Sequence, residues 1–305
     1  MEANISVSVA GLRLSSPTML ASGILGYSKH SFKRVEEHGA GAIVTKSAGL
    51  KPRVGHPGPT VVEVPCGLLN AMGLPNPGVE AVGEEVRAAK RMGVRIPIVA
   101  SVYGFTVEEY VKASEVAAAF ADAVELNLSC PTVEGTGVEM GQNPSEVKAL
   151  VESVKAAVKK PVFAKLSPNV SSIVEVGRAA EEGGADALTA INTVKAMAIN
   201  VDLMRPVLSV GVGGLSGPSI KPIAVRCVYE LYESVGIPIV GCGGIAGWED
   251  AVEMVLAGAS AVQLGTGIKY KGLEIFREVN LGIKSYLSSR GFKRLEEIKG
   301  LAHKE

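Results

Sequence analysis

Short apolar runs alternate with longer amphipathic stretches along the whole chain of 305 residues. The apolar runs are continuous, which is typical of strands that are buried on both faces of a parallel sheet. We predict eight strands, at Thr18–Ala21, Ala42–Thr45, Pro97–Ala100, Ala123–Leu126, Val162–Ala164, Ala187–Ala190, Ile237–Val240 and Ala261–Leu264. Helices are predicted between them, among others at Ser31–His38, Val107–Phe120, Ser145–Val158, Ile173–Glu182, Ser219–Ser234 and Trp248–Leu256. A β-hairpin is predicted ahead of the first strand, from Ile5–Val9 through Ala10-Gly11 to Leu12–Leu14.

Eight β–α units in a chain of this length predict an α/β fold, the (β/α)8 TIM barrel, whose active site lies at the C-terminal ends of the strands. An open, doubly wound parallel sheet also fits the alternation of elements. Two long inserted loops break the rhythm, Ser47 to Asn76 after the second strand and Asn192 to Gly217 after the sixth. Connections of this length are usually lids or binding loops, so we expect both at the active face. We expect residues 1–305 to form a single domain.

Charge and composition narrow the class of ligand. The chain has 31 Lys+Arg and 31 Asp+Glu residues, so no net field attracts nucleic acid or a membrane surface. It has neither a basic start followed by an apolar run nor an apolar stretch of about 18 residues, and we expect no signal peptide or membrane helix. The four Cys and four His residues do not stand at ligand spacing. We therefore expect a reduced, cytoplasmic protein without a metal site.

Polar and glycine residues stand at or just beyond the predicted strand ends. They are Ser22, Lys46, Ser101, Asn127, Lys165, Asn192, Gly243-Gly244 and Gly265-Thr266. Because the C-terminal ends of barrel strands meet, the fold predicts that these residues line one pocket.

Two glycine-rich turns follow the last two predicted strands, at residues 241–245 and 264–267. Backbone N–H groups in such turns can approach an anion closely, and the loops after strands seven and eight are the usual phosphate site of this barrel. The alternative is that these glycines only form tight turns. Gly241, Gly243 and Ala246 also match the dinucleotide fingerprint, but Gln263 stands where that fingerprint requires an acidic residue, so we disfavour a Rossmann site.

Two lysines and three amides add chemistry to the predicted pocket. Lys46 and Lys165 follow apolar runs, where an ammonium group can bind an anion, form a Schiff base or stabilise negative charge on a ring; a lysine that reaches solvent is the alternative. Asn70, Asn127 and Asn192 offer paired donors and acceptors that suit a pyrimidine edge. Capping and turn roles are equally open for each amide.

Cys130 lies just past the fourth predicted strand, in the segment Asn127-Leu-Ser-Cys130-Pro131. Forming the thiolate at neutral pH costs only about 2 kcal/mol, so a cysteine can act as a base without a histidine. An inert loop cysteine is the alternative.

Taken in order, the motifs resemble those of the class 1 dihydroorotate dehydrogenase family, and most closely the class 1B catalytic subunit. The resemblance extends over almost the whole chain. Its most specific parts are Asn127-Leu-Ser-Cys130-Pro131 and Lys165-Leu-Ser-Pro-Asn169, and it includes the loop of residues 67–78 and the stretch of residues 213–222.

The resemblance implies a barrel that binds flavin mononucleotide (FMN). By this resemblance the flavin is held by Ser22, Lys46, Ser47, Asn127, Lys165, Ile191, Gly217, Gly243, Gly244, Gly265 and Thr266. Dihydroorotate is held by Lys46, Asn70, Ala71, Met72, Gly73, Leu74, Asn127, Asn192 and Thr193.

The resemblance also implies the reaction. Cys130 removes the C5 proton of (S)-dihydroorotate while a hydride leaves C6 for flavin N5, which yields orotate for the synthesis of pyrimidines. Lys165 stabilises negative charge on the flavin. The chain departs from the family at two positions, because Thr132 and Ser101 each stand where the family commonly has Asn.

The subclass implies a route for the electrons. In class 1B a separate subunit that carries FAD and a [2Fe-2S] cluster passes them to NAD, and a homodimer of catalytic chains with this subunit forms a heterotetramer. The fumarate-reducing class 1A and the membrane-bound class 2, which uses Ser as its base, fit less well.

Three other functions remain open on the sequence. The pyrimidine-reducing domain of dihydropyrimidine dehydrogenase shares the flavin barrel and a cysteine acid. A barrel aldolase would use Lys165 as a Schiff base. A phosphate-binding barrel without catalysis would leave Cys130 inert.

Overall fold

Eight parallel strands close into a barrel in the computed structural model of the protein, which describes residues 3–65, 67–128 and 141–304. The barrel strands are β1 (Thr18–Leu20), β2 (Ala42–Val44), β3 (Ile98–Val102), β4 (Ala123–Asn127), β5 (Val162–Leu166), β6 (Ala187–Ala190), β7 (Ile239–Cys242) and β8 (Ala261–Leu264). Each strand pairs with its neighbours along the chain, and β8 pairs with β1. The predicted (β/α)8 barrel is therefore confirmed, and the open doubly wound sheet is wrong.

Helices connect the strands around the outside of the barrel. They are α1 (Lys29–Glu37), α2 (Val79–Arg91), α3 (Val107–Ala118), α4 (Pro144–Ala157), α5 (Ile173–Glu182), α6 (Lys221–Tyr232), α7 (Trp248–Leu256), α8 (Gly267–Lys271) and α9 (Glu274–Ser289). Ser28, Thr106 and Ser172 accept hydrogen bonds from backbone N–H groups of α1, α3 and α5, which explains why these helices begin where they do. Within the described residues, none of the helices is both long and apolar enough to cross a bilayer.

Several strand bounds differ from the predicted ones, and those of β7 and β5 bear on Cys242 and Lys165. β7 begins at Ile239 rather than Ile237, because Pro238 has no N–H to donate to the sheet, and it continues to Cys242. β5 continues to Leu166, since Lys165 pairs with Asn127 of β4 and Thr189 of β6. Lys165 therefore lies inside a strand rather than after it.

The barrel strands form the centre of one large apolar core. Val9 and Leu14 extend this core into the N-terminal hairpin, whose strands Val7–Val9 and Leu12–Leu14 pair as predicted. Ala10 and Gly11 form its turn with positive φ angles of 49° and 81°, as in the two-residue turns that match the twist of a hairpin. Short 3-10 helices at Leu295–Glu297 and Leu301–His303 follow α9.

The two inserted loops build a second sheet together. Its antiparallel strands lie in the order Val194–Ala196, Gly213–Ser216, Gly67–Asn70, Val61–Val64, and we call them the inserted sheet. Leu69, Ala71 and Leu208 form a small apolar cluster of their own beside it. The prediction of loops at the active face missed this pairing, which joins segments more than 100 residues apart in the chain.

Candidate active site

A cavity of about 530 Å³ lies between the C-terminal ends of the barrel strands and the inserted sheet. Its volume is within the range of pockets that hold small organic ligands. Residues that follow β1, β2, β6, β7 and β8 line it on one side, and Val61, Leu68 and Gly214 of the inserted sheet line it on another. The barrel therefore supplies one set of walls and the two long insertions supply another.

The structure brings the described residues of both predicted binding sets into this one cavity. They are Ser22, Lys46, Ser47, Asn70, Ala71, Met72, Gly73, Leu74, Asn127, Lys165, Ile191, Asn192, Thr193, Gly217, Gly243, Gly244, Gly265 and Thr266. Cys130 and Thr132 lie outside the described residues. The convergence expected from the strand ends is thus present, while the role of each side chain stays a prediction.

Ser101 is the exception among the residues at the strand ends. It lies inside β3 rather than beyond it, is buried, and does not line the cavity. Its hydroxyl group is 2.8 Å from that of Ser47, which in turn accepts a hydrogen bond from the Asn127 amide at 3.2 Å. Among the described residues, Ser47 is therefore the one that links the Ser101 hydroxyl group to the cavity.

The asparagine side chains are held in fixed orientations. The Asn192 amide donates to Oδ1 of Asn127 at 3.1 Å, and its own oxygen accepts from the backbone N–H of Thr193 at 2.8 Å. Asn70 donates to the backbone carbonyl of Gly214 at 3.2 Å, which ties two strands of the inserted sheet together. A ligand edge would meet amides whose donors and acceptors are already aligned, which lowers the entropy cost of binding.

Polar side chains from β5, β7 and β8 form what we call the cavity floor, which comprises Lys165, Cys242 and Gln263. The Lys165 ammonium donates to Oε1 of Gln263 at 3.0 Å and to the sulfur of Cys242 at 3.9 Å. Behind them, Glu125 of β4 is fully buried, and its Oε2 accepts from Gln263 at 2.8 Å. A buried cation at the floor favours negative charge on a ligand that faces it.

The pKa values of Lys165 and Cys242 are both raised, for different reasons. Burial disfavours the charged form of Lys165, but the hydrogen bond to the Cys242 sulfur and the negative charge of Glu125 outweigh it, so the pKa of Lys165 is raised. Burial also raises the pKa of the Cys242 thiol, although Lys165 opposes this shift. Lys165 is therefore an ammonium ion and Cys242 a neutral thiol at neutral pH.

The turn after β7 requires its glycines. Gly243 and Gly244 have φ angles of +125° and +79°, and a Cβ on Gly244 would lie 2.5 Å from the Lys221 side chain. Asp250 of α7 accepts hydrogen bonds from the N–H groups of Ala246 and Gly247 at 2.8 and 2.9 Å, which fixes the turn. The glycines therefore do form a tight turn, and the phosphate site stays a prediction, because the same residues line the cavity.

Three buried or half-buried residues of the site were not among the predicted ones. Cys242 is the last residue of β7 rather than part of the glycine turn, and it lines the cavity. In the sequence, Gln263 argues only against a Rossmann site, and no motif singles out Glu125. The available signal was a Glu and a Gln inside apolar strands, since such side chains are rarely fully buried without partners.

Comparisons with known proteins agree on one family. The sequence profile of the family described as dihydroorotate dehydrogenase matches residues 4–287. The dihydroorotate dehydrogenase B (NAD(+)) catalytic subunit of Pyrococcus abyssi is 50% identical over 300 residues, which cover 98% of this chain and 99% of the relative. The proteins of the same name from Thermococcus kodakarensis and Methanosarcina mazei are 49% and 48% identical, over 98% and 97% of this chain and 98% and 94% of their own lengths.

Proposed function

The chain belongs to the dihydroorotate dehydrogenase family, and we propose that it oxidises (S)-dihydroorotate to orotate for pyrimidine biosynthesis, as the catalytic subunit of an NAD-linked enzyme. One observation carries the proposal. Residues that belong to seven barrel strands or their following turns and to both insertions line the same cavity above a buried ammonium group.

The residues of the cavity fit FMN. Gly243 and Gly244 after β7 carry no side chain and line the cavity, and Gly265 after β8 has no atom closer than 3.6 Å to the position of its absent Cβ. Gly243, Gly244, Gly265 and Thr266 would hold the phosphate group. Lys165 would face the pyrimidine edge of the ring, where its charge offsets negative charge. When bound, FMN supplies the acceptor for the hydride that leaves C6 of the substrate.

The amides and Lys46 fit the substrate. Dihydroorotate presents ring N–H and C=O groups together with a carboxylate. Asn127, Asn192 and Asn70 would bind the ring edge, and Lys46 would bind the negative charge. The residues Ala71 to Leu74 of the first insertion would close over the ring, because they line the cavity beside Asn70.

Cys130 is the proposed general base. Asn127 lines the cavity at the end of β4, and Cys130 follows it by three residues in the sequence. Its thiolate would take the proton from C5 of dihydroorotate, and the electron pair of that C–H bond forms the C5=C6 double bond of orotate as the hydride leaves C6. Proton transfer of this kind contributes about 10² to 10⁴ in rate.

The arrangement of the floor argues against the aldolase. A lysine forms a Schiff base only as a neutral amine. Lys165 instead donates to Gln263 and Cys242 and lies 3.9 Å from a carboxylate oxygen of Glu125, which keeps it charged.

The proposal also includes a partner subunit, an oligomeric state and a cellular compartment. The relatives are named NAD(+)-linked catalytic subunits, which supports a partner subunit for this chain. We infer that this partner carries FAD and [2Fe-2S], that two catalytic chains and two partners form a cytoplasmic heterotetramer, and that residues 1–305 act as one FMN-binding domain.

Anaerobic titration tests the proposal. Dihydroorotate is expected to bleach the visible absorption of the FMN-loaded chain with a stoichiometry of one, whereas dihydrouracil is not. NAD is expected to restore the colour only when the partner subunit is present, and fumarate not at all. No bleaching by dihydroorotate, or preference for dihydrouracil, would reject the substrate.

The role of Cys130 has its own test. The Cys130→Ala variant is expected to bind FMN and orotate but to lose about 10² to 10⁴ of its turnover. Cys227→Ala is the matched control, because Cys227 is buried in α6 away from the cavity. Equal turnover in the two variants would reject Cys130 as the base.

A further inference from the structure

A layer of polar side chains crosses the barrel interior below the cavity. Glu125 of β4 is the centre of this layer, and its Oε2 accepts hydrogen bonds from the Thr189 hydroxyl group at 2.9 Å and from Gln263 at 2.8 Å. Oε1 of Gln263 in turn accepts a hydrogen bond from the Lys165 ammonium group at 3.0 Å. The four side chains are each at most 5% exposed, in a barrel whose other interior residues are mostly apolar.

Such a layer is costly to bury. A buried carboxylate and a buried ammonium each lose several kcal/mol of hydration, and their attraction offsets this only when the geometry is good. Here the geometry is indirect, because Oε1 of Glu125 is 3.9 Å from Lys165 and accepts no hydrogen bond from the described residues. The arrangement is therefore poorly explained as a device for stability.

Glu125 is the one anion that the described residues place beside Lys165. The other titratable group in contact with Lys165 is Cys242 of β7, which is a neutral thiol at neutral pH. Gln263 of β8 and Thr189 of β6 carry no charge, and Lys46, which lines the same cavity, is a cation. Without Glu125, only the contacts with Gln263 and Cys242 would oppose burial, and the balance at Lys165 would shift towards the neutral amine.

We propose that Glu125 is a positioning residue that keeps Lys165 a cation at the cavity floor and fixes its ammonium group through Gln263. Glu125 does not line the cavity, so it acts only through these partners. The inference deepens the proposed function, in which Lys165 offsets negative charge on a bound ligand, but the charge of Lys165 can be measured without any ligand.

Competitive acetylation measures that charge, because only the neutral amine reacts with acetic anhydride. The full chain, freed of bound flavin, is treated with trace anhydride between pH 6 and 10, and the labelled peptides are quantified by mass spectrometry. Lys46 opens into the same cavity and serves as the internal reference for access of the reagent. The measured quantity is the ratio of acetylation of Lys165 to that of Lys46.

In Glu125→Gln this ratio is expected to rise at least about tenfold at pH 8, since each unit by which the pKa falls exposes about ten times more free amine. Its pH profile is expected to shift to lower pH than that of the natural chain. Glu125→Asp keeps the charge and is expected to restore the low ratio. Thr189→Val removes one hydrogen bond to Glu125 but no charge, and is expected to change the ratio less than about twofold.

A ratio in Glu125→Gln equal to that of the natural chain would overturn the proposal, and so would an equal rise in Thr189→Val, which would indicate a merely structural role. If Glu125→Gln does not fold, the natural chain can still overturn the proposal, because acetylation of Lys165 faster than that of the exposed Lys159 at pH 7 would show that Lys165 is not held as a cation. Failure of the proposed function is distinguishable, since it would abolish bleaching by dihydroorotate and leave the acetylation ratios unchanged.

Discussion

The cavity floor and the inserted sheet face the same cavity but are built in opposite ways. Lys165 and Gln263 of the floor are 5% and 1% exposed and lie on parallel strands of the closed barrel. In the inserted sheet, Val61 is 47% exposed, and the apolar cluster beside it has only three fully buried members. Parallel strands covered on both faces hold their side chains rigidly, whereas a sheet with one face in water opens at lower free energy. We infer that the floor fixes the charge for the chemistry and that the inserted sheet admits the substrate.

The largest expected effect comes from removing the charge of the floor. Lys165→Met leaves the carboxylate of Glu125 buried without a cation, and breaking a buried pair from one side costs about 3–5 kcal/mol. We expect the midpoint of thermal unfolding to fall sharply and turnover to be lost. Calorimetry and an assay of dihydroorotate oxidation measure the two effects.

A double variant sharpens this result. Lys165→Met with Glu125→Gln removes both charges, and it is expected to be more stable than Lys165→Met alone, although still inactive. Lys159→Met removes an exposed lysine after α4 and serves as the control, with no change in either quantity. If the double variant were less stable than the single one, Glu125 and Lys165 would not act as a pair.

A smaller effect is expected at the rim of the floor, in the turn after β7. Gly244→Ala adds a Cβ at a φ angle of +79° and against Lys221, and the strain and the overpacking together cost about 2–4 kcal/mol. FMN affinity is expected to fall at least about tenfold, as measured by quenching of flavin fluorescence. Gly11→Ala is the matched control, because its φ angle is +81° and nothing lies within 4 Å of the added Cβ. Equal loss of stability in both variants would show that the positive φ angle, and not the clash with Lys221, causes the loss.

A substitution in the inserted sheet is expected to destabilise that sheet alone and not the whole barrel. Leu208→Ala removes one of three fully buried members of the small cluster, at a cost near the lower end of the range for such substitutions, about 2 kcal/mol. Amide exchange is expected to accelerate in the inserted sheet, and KM for dihydroorotate to rise more than kcat falls. Leu188→Ala, in β6 of the barrel, is expected to lower the global unfolding temperature instead. A similar global loss in both variants would mean that the two regions unfold as one unit.

The sequence predicted the barrel well and the inserted sheet poorly, for a physical reason. Buried parallel strands are continuous apolar runs, so all eight were found, and the fold then placed Lys46, Asn127 and Gly243 at one cavity. The inserted sheet depends on pairing between Leu69 and Leu215, far apart in sequence, and short half-exposed strands give no local signal. Glu125 was missed because its partners Thr189 and Gln263 are brought to it only by closure of the barrel.

The smallest predicted effect lies where the two regions meet. Ser216 of the inserted sheet accepts a hydrogen bond from Thr266, which follows β8, at 2.8 Å, so Ser216→Ala breaks a link between sheet and barrel. One hydrogen bond contributes about 1 kcal/mol, and we expect KM for dihydroorotate to rise about two- to fivefold while kcat and the unfolding temperature stay nearly constant. Ser153→Ala, which removes a hydroxyl group bonded to Ala149 within α4, is the control and should leave KM unchanged. If Ser216→Ala lowered kcat and left KM unaltered, the inserted sheet would be shaping the chemical step rather than admission of the substrate, and the division between the two regions would fail.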